Sequence, residues 1–234
     1  MRWEIIKYVV DMLFPRLCVV CDHALNEGER YVCGGCLAEL PLTAYHRIDF
    51  NPVEQLFAGK VPVERATSYF FYERGSRHAA ILHSIKYHNN PHLGEWLACR
   101  QAAQLKADGW LGDDIAAVVP VPLHRSKLAM RGYNQSEYIA RGMASVAGCD
   151  VEQLVKAVKR HDTQTHKGQY ERQLNISGVF KATGRAELFA GKHVLLVDDV
   201  ITTGATLLSC AEALRQAVPD IRISIATLAA ARLQ

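Results

Sequence analysis

Apolar residues at Trp3, Ile6, Val10 and Leu13 recur every three or four positions, which puts them on one face of a helix that Pro15 ends. A short helical turn is expected over 37–40, stopped by Pro41. The aromatic, β-forming run at 66–72 reads as a strand, and the spacing across 75–87 and 92–105 reads as two helices. At 115–121 and 193–197 the chain is apolar without interruption, the pattern of strands covered on both faces in a parallel sheet. Helices are expected over 135–146 and over 205–218, where Leu207, Leu208, Ala211 and Leu214 share a face, and 221–228 is a final β-branched run. Strands alternating with helices predict an α/β fold, a parallel sheet flanked by helices. Between 43 and 62 the periodicity is weak and Pro52, Gly59 and Pro62 punctuate the chain, so this stretch reads as a linker with limited structure. The expected organisation is an N-terminal helix and small module at 1–45, a linker at 46–62 and the main domain at 63–234.

The uninterrupted strand at 193–197 leads into Val-Leu-Leu-Val-Asp-Asp-Val-Ile-Thr-Thr-Gly-Ala-Thr, Val194 to Thr206. Two acids and a threonine-rich turn then stand at the carboxyl end of a parallel strand, where open α/β sheets bind ligands. Gly204 permits a tight turn, the amides opening the next helix at Ala205 face an anion, and Thr202, Thr203 and Thr206 add hydroxyl donors. That is a cradle for a monophosphate. Asp198 and Asp199 would repel a phosphate, so they must face something that donates to carboxylates; the two hydroxyls of a ribose fit, with a magnesium ion alongside. The plainer alternative is that the acids cap the following helix. The segment resembles the signature of type I phosphoribosyltransferases at every fixed position. That resemblance implies the loop for a 5′-phosphate and the acids for the ribose hydroxyls.

Charge is unevenly spread. Residues 1–117 carry 12 Lys and Arg against 14 Asp and Glu, whereas 118–234 carry 15 against 10, so the positive excess lies with the phosphate loop. Val118 to Gln135 reads as a buried strand releasing into a loop that holds Arg125, Lys127 and Arg131. The turn after such a strand faces the same crevice, which makes these three cations candidates for a pyrophosphate; a solvated loop is the alternative. No nucleotide-binding loop of the Gly-x-x-x-x-Gly-Lys-Ser/Thr or Gly-x-Gly-x-x-Gly kind occurs. No apolar run is long enough for a membrane helix, and Glu4, Lys7 and Asp11 interrupt the N-terminal segment, so neither membrane insertion nor a signal peptide is expected.

Of seven cysteines, four form two Cys-x2-Cys pairs, Cys18 with Cys21 and Cys33 with Cys36. Paired thiolates at this spacing suit tetrahedral Zn2+ with no open position, a structural site in a reducing, cytoplasmic setting. Metal binding would then supply much of the folding free energy of so small a module.

Pro120-Val121-Pro122 with Arg131-Gly132-Tyr133-Asn134-Gln135, the pair Lys86-Tyr87, and the cysteine pairs after Leu13-Phe14-Pro15 together resemble the ComF family, also called the GntX or ComFC type. The resemblance covers nearly the whole chain. Arg160, Thr163, Glu171, Arg172, Asn175 and Phe180 match its spaced downstream motif, while His166 stands where glutamine is more usual and 163–167 is left as a flap without an assigned role. Membership implies a phosphoribosyltransferase-like domain behind a four-cysteine zinc module, and an association with competence and DNA uptake or utilisation. Three functions follow from it. The first is an accessory protein that binds phosphoribosyl pyrophosphate or a related ribose phosphate, with single-stranded DNA and a DNA-uptake ATPase as partners. The others are an active phosphoribosyltransferase whose acceptor the sequence does not name, and a regulator that senses phosphoribosyl pyrophosphate. No catalytic residue is assigned.

Overall fold

The computed structural model describes residues 15–158 and 179–232. The helix expected over the first fourteen residues, the segment 163–167 and the motif positions Arg160, Thr163, Glu171, Arg172 and Asn175 lie outside them.

Five strands form one sheet: β1 (Ala66–Tyr72), β2 (Ile115–Pro120), β3 (Asp150–Val151), β6 (His193–Ile201) and β7 (Arg222–Ala231). Every pairing is parallel, in the order β1-β7-β6-β2-β3. Alternate residues of β6 enter different cores, as the pleat requires. Leu195 and Val197 pack with α3 (Ala79–Tyr87), α4 (Pro91–Ala107) and α6 (Gln135–Ala147), and Val194 and Leu196 pack with α7 (Ala205–Ala217) on the other face. The uninterrupted apolar run at 193–197 thus serves two layers at once. A short antiparallel pair, β4 (Val155–Ala157) with β5 (Phe180–Ala182), completes the strands among the described residues.

From β2 the chain crosses through α6 to β3 at one edge; from β6 it crosses through α7 to β7 on the other side. The carboxyl ends of the neighbouring strands β2 and β6 are therefore the point where the connections part, the place where open α/β sheets carry their ligand crevice.

Three local readings change. Strand β6 continues four residues past Val197 and carries both acids inside it, because its neighbour continues too: Asp198 pairs with Thr227, Val200 with Ala229 and Ile201 with Ala230. The ladder overrides the poor strand propensity of aspartate. The basic stretch expected as a loop is a seven-residue helix, α5 (Arg125–Arg131), capped by the His124 ring and ended by Gly132 at φ 80°. None of its residues is buried, so it has no apolar face for periodicity to detect. The stretch read as a linker contains α2 (Pro52–Gln55), where Pro52 starts a helix rather than breaking one. Asn51 and Glu54 form its capping box, and Val53 and Phe57 are fully buried in the second core.

The cysteine module is held by a bridge between Leu17 and Ala24 and by α1 (Gly34–Ala38). Cys18, Val32, Cys36 and Leu40 are buried in the same core as Phe70, Ile81 and Ile85. The His78 ring donates to the Cys36 carbonyl at 3.2 Å, joining the module to the start of α3.

Candidate ribose-phosphate site and four-cysteine centre

The crevice is built on strand and helix ends that are themselves tied down. Val121 N–H donates to the Val197 carbonyl, and the Asn134 side chain donates to the Val121 carbonyl while accepting from Ser136 N–H. The start of α6 is thereby fixed beside β6. Ser136, 1% exposed, donates its hydroxyl to Asp198 Oδ1 at 2.8 Å, and Asp199 N–H donates to the same oxygen at 2.9 Å. Lys86, at the end of α3, lies 3.2 Å from Asp199 Oδ2. Their side chains are 19% and 4% exposed, so this is a largely buried ion pair. The contact has ion-pair distance but not hydrogen-bond alignment, and Asp199 Oδ2 has no hydrogen-bond partner among the described residues.

Two acids and one ammonium leave the cluster electrostatically unbalanced. Burial, followed by the charge of Asp199, pushes the Asp198 carboxyl up to about 7, against lowering by Ser136, the Asp199 amide and Lys86.

The loop after β6 turns through Gly204 at φ +74°, where a Cβ would stand 3.3 Å from the Leu56 side chain. Glycine is needed there for conformation and for space. Thr202, Thr203 and Thr206 are exposed, and among the described residues their hydroxyls have no partner. Leu208 N–H is bonded to the Gly204 carbonyl, which leaves the amides of Ala205, Thr206 and Leu207 as the open N–H groups of α7. Asp198, Asp199 and the loop Thr202, Thr203, Gly204, Ala205 and Thr206 are thus gathered at one strand end.

The three cations are separated. Arg131 belongs to the crevice: Nη1 donates to Gln135 Oε1 at 2.8 Å, the guanidinium lies over the Tyr87 ring at 5.3 Å, and Nε is buried without a partner among the described residues. Arg125 instead lines a cavity of about 290 Å³ with His124 and Lys156, at the other end of α5. Lys127 is exposed on the helix between them. Cavities of about 480 and 600 Å³ lie elsewhere, under Phe50 to Glu64 and between the cysteine module and α3, and neither is lined by Asp198 or Asp199. Volume alone does not pick out the acids. Sequence reasoning missed Ser136 and Leu56 altogether, and Lys86 was noticed only as part of a family pair. A hydroxyl at a helix start carries no signal of the strand it will meet.

The four cysteine sulfurs lie within 4.8 Å of one another, with Cys21 and Cys33 3.7 Å apart. Tetrahedral zinc with bonds of about 2.3 Å holds its thiolates about 3.8 Å apart, so the donor set and its spacing fit such a metal. Backbone amides add to the match: Val20 and Cys33 N–H donate to Cys18 Sγ, and Cys36 N–H to Cys33 Sγ. Burial raises the Cys18 thiol, but the amides of Cys33, Val20 and Cys21 outweigh it and bring it down to about 7.

A five-stranded parallel sheet bearing two acids and a Thr-Thr-Gly-x-Thr turn at its switch point is the arrangement expected of a phosphoribosyltransferase-type domain. Residues 134–234 match the family model of the phosphoribosyl transferase domain. Competence protein F of Haemophilus influenzae is 33% identical over 109 residues, 46% of this chain and 48% of that protein. The DNA utilization protein YhgH of Salmonella typhi is 35% identical over 99 residues, 42% of each chain, and that of Escherichia coli is 25% identical over 202 residues, 85% of this chain and 83% of that one. The chain thus spans about half the length of the first two relatives. With its four-cysteine cluster, it is similar to the ComF/YhgH proteins over most of its length. Among solved structures, adenine phosphoribosyltransferase of Saccharomyces cerevisiae overlaps 60% of this chain and 72% of its own, with TM-score 0.35 and 17% identity, too loose a likeness to bear on function. No helix among the described residues is long and apolar enough to cross a membrane.

Proposed function

We propose that this chain is a competence-type accessory protein of DNA uptake or utilisation that binds phosphoribosyl pyrophosphate or a related ribose phosphate in the cytoplasm. The observation that carries the reading is the meeting of an acid pair and an open anion cradle at one strand end. The hydroxyls of Thr202, Thr203 and Thr206, without a partner among the described residues, and the amides from Ala205 onward suit a 5′-phosphate. Asp198 and Asp199, repelled by that phosphate, suit the ribose hydroxyls instead. Arg131 supplies positive charge for a pyrophosphate, and Mg2+ accompanying the ligand would neutralise it further; Arg125 and Lys127 are farther members of the same basic helix. Zn2+ in the four-cysteine cluster would be structural, since four thiolates leave no open position. The DNA-related role rests on the names of the relatives, and the exposed cations of α5 are the surface on which single-stranded DNA or a partner ATPase would act.

Affinity for phosphoribosyl pyrophosphate with Mg2+, followed by pyrophosphate release with a panel of bases and amines, tests the reading. Binding without release supports the accessory protein or a sensor; release stimulated by an acceptor makes the chain a phosphoribosyltransferase. A DNA-binding assay across a salt series then separates accessory protein from sensor. Unchanged affinity in Asp198→Ala/Asp199→Ala would remove the pocket assignment.

A further inference from the structure

Resting on the ribose-phosphate reading, we propose that Lys86 is a ligand-binding residue of the crevice, the counter-cation that discriminates a ribose carrying a C1 pyrophosphate from one that does not. Lys86 is the second-last residue of α3, and its ammonium stands 3.2 Å from Asp199 Oδ2 in a setting that leaves the acid 4% exposed. A purely structural lysine in such a setting is held by aligned hydrogen bonds, because a buried charge is costly unless it is both paired and bonded. This pair has the charge and the distance without the alignment, and Asp199 Oδ2 remains without a hydrogen bond among the described residues. The ammonium is near its acid but not locked to it.

Geometry then fixes what the ammonium meets. A ribose hydroxyl bonded to either oxygen of Asp199 sits about 2.7 Å from the carboxylate, so it lies within about 8 Å of the Lys86 nitrogen. The C1 substituent is one carbon away from the nearer hydroxyl, inside the sweep of a flexible four-carbon stem. A second cation converges there from another element. Tyr87, next to Lys86 and 57% exposed, carries the Arg131 guanidinium over its ring, and Arg131 Nε is buried with no acceptor among the described residues. Arg131 reaches back to Gln135, the neighbour of Ser136, which holds Asp198. Arg131 thus touches the residue next to Lys86 and the residue next to Ser136, which brings a second positive charge, its guanidinium, to the ends of α3 and α6 that hold the acid pair. Arg125, in its own cavity with Lys156, is not part of this pair of cations.

The test compares two ligands by calorimetric titration with Mg2+ present: phosphoribosyl pyrophosphate and ribose 5-phosphate. In Lys86→Met, affinity for the pyrophosphate-bearing ligand falls about tenfold to a hundredfold, the usual loss of a charge-assisted contact, while ribose 5-phosphate binds within about threefold of wild type. Lys86→Arg restores most of the difference. Inorganic pyrophosphate is the control if Lys86→Met proves unstable: Asp199→Asn, which releases the ammonium from its acid, keeps or raises pyrophosphate affinity. Equal losses for both sugar ligands in Lys86→Met, or pyrophosphate affinity lost in Asp199→Asn, overturns the assignment to Lys86 alone. Wild-type protein that binds neither sugar ligand overturns the ribose-phosphate reading together with it.

Discussion

Asp198→Asn isolates the electrostatic cost of the acid pair. Asp198 is half-buried beside a fully buried Asp199, and burial first, then that neighbouring charge, moves its carboxyl from 3.8 to about 7. The folded protein then holds a proton that the unfolded chain has released between those two values. Stability from this group is full below pH 3.8, declines through the interval, and is lost as pH rises past about 7. A shift of about three units at about 1.4 kcal/mol each sets a ceiling of about 4 kcal/mol. Water reaching the open side of Asp198 reduces it, so about 2–4 kcal/mol is the expected range. Asparagine keeps the oxygen that accepts from Ser136 and from the Asp199 amide but carries no charge. At pH 8.5 the ligand-free variant should be more stable than wild type by that amount, raising Tm by roughly 5–15 °C, and at pH 5 the difference should shrink to under half. Denaturant unfolding at both pH values reads the difference, and ligand affinity should fall about tenfold because a neutral amide accepts more weakly. A variant less stable than wild type at pH 8.5, or an equal difference at both pH values, would refute the argument.

Cys33→Ser should reduce bound zinc from about one per chain to well under half in freshly purified protein and lower the unfolding temperature, measured by elemental analysis and a thermal scan. Gly204→Val should cost about 2 kcal/mol or more in denaturant unfolding, since the residue is at φ +74° and its Cβ would press on Leu56, and it should weaken ribose phosphate binding at the same time. Gly142→Ala places a Cβ 2.3 Å from the Glu95 carbonyl and 2.8 Å from the Ala98 side chain, so α4 and α6 must separate. A loss of about 2 kcal/mol or more is expected there, with ligand affinity also reduced because α6 carries Ser136.

What the chain disclosed in advance follows from how local each signal is. Strand β1 was read at its observed bounds and β2, β6, β7 and the longer helices within a few residues, because each buries a full face and so writes its period into the sequence. The acids and the threonine turn were legible as a contiguous motif whose residue types conflict unless they serve one ligand. Helix α5 was not legible, since none of its residues is buried and its caps, His124 and Gly132, are weak signals. The helix at Pro52–Gln55 was hidden by its own first residue: proline marks a break as readily as a start, and only burial of Val53 and Phe57 decides between them. Lys86 and Ser136 stand 113 and 62 positions from the residues they meet, Asp199 and Asp198, and only the crossover connections bring them there. Pairings of that kind are set by topology, not by any window of sequence.

Topology also joins the two centres. Helix α3 has the cysteine module at one end and the acid pair at the other. At its start His78 donates to the Cys36 carbonyl, Arg77 pairs with Glu39, and Ala79, Ala80 and His83 line a cavity with Cys18. At its end Lys86 meets Asp199. Nine residues at about 1.5 Å each separate these contacts by about 13 Å, a rigid span two and a half turns long. Ile81, Leu82 and Ile85 on that span are buried in the core that also takes Cys18 and Cys36, so the module and the helix share packing along its length. A metal closing on the four thiolates would fix the Cys36 carbonyl, and through it the helix that carries the ammonium. Its effect on the acid pair would be one of position, exerted through packed side chains, since the four thiolates and Lys86 stand at opposite ends of α3.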